Sequence, residues 1–204
     1  MPLLSFAPRS ATALPPMGAS QATAALEVTP QQLHKLRGCG LLGSRAELEA
    51  LRTPGGQWRY SHEAVRQLHA RAQVELPGTG EDLAVHLAPL QLDEHGEVHQ
   101  RTHVGWSAAA ADAGLSVRQI EDAWVGVWPV KDPDRHIGAA LVGDVAGFVV
   151  EVAQITGWRR IGGDVRFEVD APTPQMAQRY AGRRFHAAPG DKKQRLRRPG
   201  PAPS

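Results

Sequence analysis

Residues 52–65, RTPGGQWRYSHEAV, decide how the chain is read. Two adjacent glycines, Gly55 and Gly56, stand between Arg52 and the triplet Trp58-Arg59-Tyr60, and Ser61 opens a helix directly afterwards. Such a pair predicts a two-residue hairpin, because glycine adopts positive φ without a Cβ penalty. Side chains alternate along a strand, so Trp58 and Tyr60 share one face and Arg59 takes the other. One face can pack while the other offers charge, with Arg52 and Arg59 at the flanks of the turn.

Working outward, Thr29 caps a short helix, Pro30 occupies its first position, and Leu33 and Leu36 form its apolar face up to the GCG of residues 38–40. Ser44 and Glu47 have capping-box spacing and predict a second helix over RAELEAL. Ser61 caps a third, with Val65, Leu68 and Ala72 on one side. The segment LPGTGED, residues 76–82, closes this unit.

Beyond it the pattern changes. LAVHLAPLQLDEHGEVHQ reads as a strand or extended segment, and GWSAAAADAGLSVRQIEDAW as helical, interrupted at Gly114 and restarted by Ser116. AWVGVWPV, GAALVGDVAGFVVEVAQITGW and DVRFEVDA then follow a period of two and predict at least four strands joined by Gly-Asp and Gly-Gly turns. TPQMAQRYAGRRF adds a short helix and a last strand. The expected class is α+β without internal repeats. Residues 1–26 are expected to be a disordered lead, 27–75 a helical unit, 76–103 a linker, 104–186 a β-rich domain and 187–204 a disordered basic tail.

The chain has 204 residues, 42% of them hydrophobic, which suits one or two small globular domains. Charge is unevenly placed. Residues 183–198 hold seven basic residues and one acidic, leaving sixteen basic and twenty acidic elsewhere, so the high isoelectric point belongs to the tail. The single cysteine, Cys39, excludes an internal disulfide and a cysteine-rich zinc site, and a cytoplasmic setting is expected. The longest apolar run is broken by Asp144, Glu151 and glycines, and Arg9 with several prolines argues against reading the start as a signal peptide. His95, His99 and His103 are spaced by four, but Gly96 interrupts that helix and no Cys or carboxylate pair completes a metal site. No nucleophile or phosphate-loop signature is present, so the expectation is a protein without enzymatic activity, metal or cofactor.

VTPQQLHKL, LLGSRAELEAL and RTPGGQWRYSHEAVRQL together resemble the winged helix-turn-helix of MerR-type regulators and phage excisionases, over residues 27–72. The resemblance implies that the helix after Ser44 faces DNA bases and that the glycine turn is the wing. It implies Arg45, Arg52, Gly55, Gly56, Arg59 and Tyr60 as the nucleic-acid-binding residues, with Arg183, Arg184 and the tail lysines adding non-specific attraction. Glu47 and Glu49 on the expected reading helix depart from the family's basic pattern, since carboxylates near phosphate repel it. The implied role is a DNA-binding regulator or accessory factor of a bacterium, phage or mobile element.

A second resemblance covers residues 123–185. A tryptophan strand, GFVVEVAQITGW and GGDVRFEVDAPTPQMAQRYAGRRF are similar to the PUA-like barrels, the superfamily of ASCH and EVE domains. That implies a small β-barrel or bent antiparallel sheet, and as the alternative function a reader of RNA or modified bases, with Trp124, Trp128 and Trp158 as its base pocket. Filling of a small core by the same three rings is the competing expectation.

Overall fold

The computed structural model describes residues 14–74 and 82–185. It is α+β, as expected. Its first elements lie inside the segment expected to be disordered: strand β1 (Met17–Gly18) and helix α1 (Ala19–Leu26). The composition misleads because the apolar positions are few, yet Ala22 and Leu26, four apart, share a helical face and are both buried. Glu27 takes left-handed φ of 58° and ends α1; its N–H donates to the Ala24 carbonyl and that of Val28 to Thr23, the pairing of a Schellman stop. Three residues on, α2 (Pro30–Gly38) begins, capped by the Thr29 hydroxyl and paired reciprocally with Gln32.

Helix α3 (Arg45–Ala50) has the expected capping box between Ser44 and Glu47. The turn that follows is not a two-stranded hairpin. Thr53 closes it, its N–H bonding the Gln57 carbonyl at 3.0 Å and its hydroxyl accepting the Gln57 N–H at 3.0 Å. Strand β2 (Arg59–Tyr60) pairs antiparallel with β1, so the partner expected from residue 52 comes instead from Met17 and Gly18. Helix α4 (His62–His69), capped by Ser61, completes this unit, and α1 packs on both α2 and α4.

Only one of the two glycines needs its freedom. Gly56 has φ of 79°, whereas Gly55 is not in the left-handed region. Gly56→Val is therefore expected to cost about 1 kcal/mol or more and to lower the melting temperature, while Gly55→Ala costs far less. Equal effects of the two substitutions in thermal melts would contradict this account of the turn.

The second half contains β3 (Gln73–Val74), β4 (Leu83–His86), β5 (Gln91–Leu92), α5 (Gly96–His99), β6 (His103–Val104), α6 (Val117–Val125), β7 (Ala140–Val145), β8 (Phe148–Ile161), β9 (Asp164–Asp170), α7 (Pro174–Tyr180) and β10 (Arg184–Phe185). Strand order is β3-β10-β8-β7-β4, with β9 on β8. The 14-residue β8 serves three neighbours, pairing with β7 through its first half, with β9 through its second and with β10 at Phe148. Within residues 104–186 the strands of this sheet pair antiparallel, but two strands from outside that span join it in parallel, β4 beside β7 and β3 beside β10. The expected linker also supplies structure, since β4 is a sheet strand and β5 and β6 form a separate pair.

The β7–β8 turn falls three residues later than the Gly-Asp dipeptide suggests. Gly143 and Asp144 lie inside β7, and Ala146 and Gly147 make the turn at φ of 54° and 90°, held by a 2.8 Å bond from the Gly147 N–H to Asp144 Oδ1. The Gly162-Gly163 turn between β8 and β9 is where it was expected. Ser116 does restart a helix, but the alanine run before it forms turns, ending at Gly114 with φ of 83°.

The two halves share one apolar core. Leu26, Leu33, Leu36, Tyr60 and Leu68 belong to the same buried cluster as Val85, Trp124, Leu141, Phe148, Ile155 and Phe167. A second cluster under α7 joins Ala140, Val142, Val149, Tyr180 and Phe185. Among the described residues no helix is long and apolar enough to cross a membrane.

Candidate functional site

The turn at residues 53–57 delivers Trp58 to the surface beside α2, and two guanidinium groups lie against its ring. Arg37 Cζ is 4.5 Å and Arg52 Cζ 4.7 Å from the ring centroid. Arg52 is otherwise occupied: its Nε donates to the Gly56 carbonyl at 2.9 Å and its Nη1 meets the Glu49 carboxylate at 3.4 Å. It braces the turn. Arg37 and Arg59 form no ion pair with any described carboxylate.

Both open onto a cleft of about 600 Å³ bounded by α2, β2 and the start of α1. His34, Arg37, Trp58, Arg59, Gln57 and Ser20 line it together with Leu33 and Tyr60, and no carboxylate does. The absence of a side chain at Gly18 matters here. A Cβ on that residue would stand 3.1 Å from Arg59 Nη1, so the glycine lets the guanidinium lie across β1 toward the first turn of α1. Alongside the cleft, α2 buries Leu33 and Leu36 and exposes Gln31 and His34, with Lys35 partly exposed. A concave surface lined by one sign of charge focuses its field outward and concentrates anions.

The expected site residues separate into those that reach this surface and those that do not. Arg59 reaches it, and Arg52 supports it through Trp58. Gly56 shapes the turn, and Gly55 lies exposed within it. Tyr60 is corrected: it is only 2% exposed and belongs to the core, because its alternation on β2 points it inward as it does Met17 on the paired strand. Arg45 is exposed in the first turn of α3, outside the cleft's lining. Arg183 donates to the Gln178 carbonyl at 3.3 Å, and Arg184 is paired with Glu27 at 3.2 Å with most of its side chain buried. Arg184 thus joins the sheet to the α1–α2 turn and is not available as a loose phosphate contact. The tail lysines and residues 187–204 lie outside the described residues.

Of the three tryptophans expected to form a base pocket, Trp128 and Trp158 are partly buried against the core. Trp124 is buried in the core. Trp128 donates its indole N–H to the Val125 carbonyl at 2.5 Å and exchanges backbone bonds with Val165. Trp158 donates to Asp134 Oδ1 at 2.7 Å and has Arg160 Cζ 5.6 Å from its ring centroid.

Sequence reasoning missed Arg37, His34, Gln31 and Lys35, all on α2. The signal was present: with Leu33 and Leu36 inward, positions 31, 34 and 35 must face out, and they carry hydrogen-bonding or basic groups. What hid it was α1, whose absence from the reading made α2 the first helix when it is the second.

Other reactive groups have structural explanations. Burial pushes the Cys39 thiol up to about 12, with Lys35 acting weakly in the opposite direction, so it stays protonated and is a poor nucleophile at neutral pH. Asp93 gathers the His95 N–H, His99 Nδ1 and Arg101 Nε around one carboxylate. Burial alone would raise its pKa, but these bonds and the Arg101 charge outweigh that and hold it well below the usual carboxylate range. Among the described residues no group of three His, Cys, Asp or Glu side chains is arranged to hold a metal ion. Comparison with family models, with curated proteins and with solved structures finds no match to this chain.

Proposed function

We propose that the chain is a nucleic-acid-binding protein whose first half is a winged helix-turn-helix, with α1 and α2 as the helix pair and the turn at residues 53–57 with β2 as the wing. On this reading α2 meets duplex DNA, offering Gln31, His34 and Lys35 to the groove, while Arg37 and Arg59 hold the phosphate backbone beside it. The observation that carries the proposal is the convergence on one cleft of two guanidinium groups that, among the described residues, have no carboxylate partner and no carboxylate beside them in its lining. The difficulty raised by Glu47 and Glu49 falls away, because both belong to α3 and neither lines the cleft.

The alternative is a PUA-like reader built on β7, β8 and β9. The half-exposed Trp158 with Arg160 against its ring is what favours it. Fluorescence anisotropy with labelled duplex DNA, single-stranded DNA and RNA at two salt concentrations separates the readings. Duplex binding is expected to dominate and to weaken with salt, with a log-log slope of about 0.9 per phosphate contacted. Preference for RNA or single strands, removed by Trp158→Ala and untouched by Arg59→Ala, would transfer the function to the sheet.

A further inference from the structure

We infer that the cleft between α2, β2 and the start of α1 is a seat for a phosphate group carried on a nucleotide-sized body, gripped by Arg37 and Arg59. The inference deepens the reading above and rests on it only for where that phosphate comes from. Three observations carry it. The first is charge. Two guanidiniums and His34 face the same space, and neither arginine has a carboxylate partner among the described residues. Grouped like charges are unfavourable until an anion joins them, and a guanidinium fork matches phosphate oxygens in pairs.

The second is rigidity. Arg37 rests on the Trp58 ring, and Trp58 is fixed in turn by Arg52, which the Gly56 carbonyl and Glu49 anchor. Arg59 is held by the β1–β2 pairing and lies over the side-chain-free Gly18. The Arg37 fork is thus oriented before a ligand arrives, and the backbone that carries Arg59 is fixed, which lowers the ordering cost of binding. The third is size. About 600 Å³ exceeds what a bare phosphate fills and falls within the range of small-molecule sites. Leu33 and Trp58 offer apolar surface beside the charge, suited to a sugar or base.

The same chemistry has two sources: an internucleotide phosphate of a bound strand, or the phosphate of a free nucleotide. Amide and indole spectra of the full chain, titrated at constant ionic strength with adenosine monophosphate, inorganic phosphate, adenosine or acetate, test the seat. Adenosine monophosphate is expected to move the Trp58 indole and the Ala19 and Ser20 amides saturably. Inorganic phosphate should move the same resonances more weakly, and adenosine and acetate should leave them in place. Arg37→Gln and Arg59→Gln should each weaken the nucleotide by about tenfold or more, Arg59→Lys by less, and Arg45→Gln, outside the cleft's lining, not at all. Resonances outside the cleft must overlay the parent's for a variant to count.

A short duplex supplies the second arm. If it moves the same resonances and the nucleotide displaces it, the phosphate is that of the strand. If the nucleotide binds and the duplex does not, the seat stands for a free nucleotide and the duplex reading fails. The seat is overturned if adenosine or acetate acts like the nucleotide, or if neither glutamine substitution weakens binding. It is overturned also, with the duplex reading intact, if the duplex binds while nucleotide and phosphate leave the cleft resonances unmoved.

Discussion

Arg37→Ala combined with Arg59→Ala is expected to abolish duplex binding at physiological salt while the protein still melts cooperatively. Each guanidinium supplies a charge-assisted hydrogen bond of about 1.5–3 kcal/mol. Loss of both therefore corresponds to roughly a hundredfold to ten-thousandfold in affinity. The salt slope should fall by about 0.9 for each phosphate contact removed. Folding is expected to survive, because neither side chain is fully buried and the packing lost is mainly that of Arg37 on Trp58, worth about 0.5–1 kcal/mol. Arg52→Ala makes the informative contrast: it removes the same formal charge but acts on the turn, so stability should change more and the salt slope less. Anisotropy across a salt series together with a thermal melt measures both. Undiminished duplex affinity in the double variant would remove the basis for the winged-helix reading.

The second large effect is expected at Asp93. Its carboxylate and the Arg101 guanidinium are each only 7% exposed, and the same carboxylate accepts from His99 and from the His95 N–H. Asp93→Ala strands a buried cation and is expected to destabilise the protein by about 3–5 kcal/mol. The pH dependence follows from the lowered carboxyl. In the unfolded chain Asp93 titrates near about 3.9, and in the folded chain lower still. Its contribution is thus complete above the unfolded value and drains away as pH falls toward the folded one. Denaturant melts in a pH series should therefore show stability declining on the acid side, and the decline should be shallower in Asp93→Asn. A neutral-pH midpoint unchanged by Asp93→Ala would contradict the role given to this cluster.

How much was legible depended on whether a signal was local. Capping residues are local, and Thr29, Ser44, Ser61 and Ser116 all begin helices where their side chains suggested. Two of the three period-two stretches became β7, β8 and β9, with Gly162-Gly163 turning β8 into β9, but AWVGVWPV is not a strand: its first three residues end α6, and Trp128 makes only an isolated bridge to Val165. Pairing is not local. Nothing in RTPGGQWRY says that Arg59 bonds alongside Gly18 and not alongside its own upstream neighbour, and nothing in the residues 73–74 announces a parallel partner at 184–185. The alanine-rich α1 was hidden because alanine adds little hydrophobic contrast although it favours helix strongly. With α1 hidden, the role expected of the second helix passed to α3, and Arg37 was never considered beside Trp58. Arg184 shows the same limit: its sequence neighbours are basic, and only the fold brings Glu27, 157 positions away, against it.

That β3 pairs with β10 has a consequence for how the chain is made. During synthesis the helices around Tyr60 emerge first, but Gln73 and Val74 have no strand to join until Arg184 and Phe185 leave the ribosome. At ordinary translation rates that interval is on the order of 5–20 s. Through it, Leu83 and Val85 of β4 also wait for Leu141 and Gly143 of β7. The nascent chain therefore carries unsatisfied strand edges, and apolar side chains that belong in the shared core, through that interval. A protein built this way is exposed to mispairing before release, and its yield should depend on translation speed and chaperone supply more than its final stability suggests.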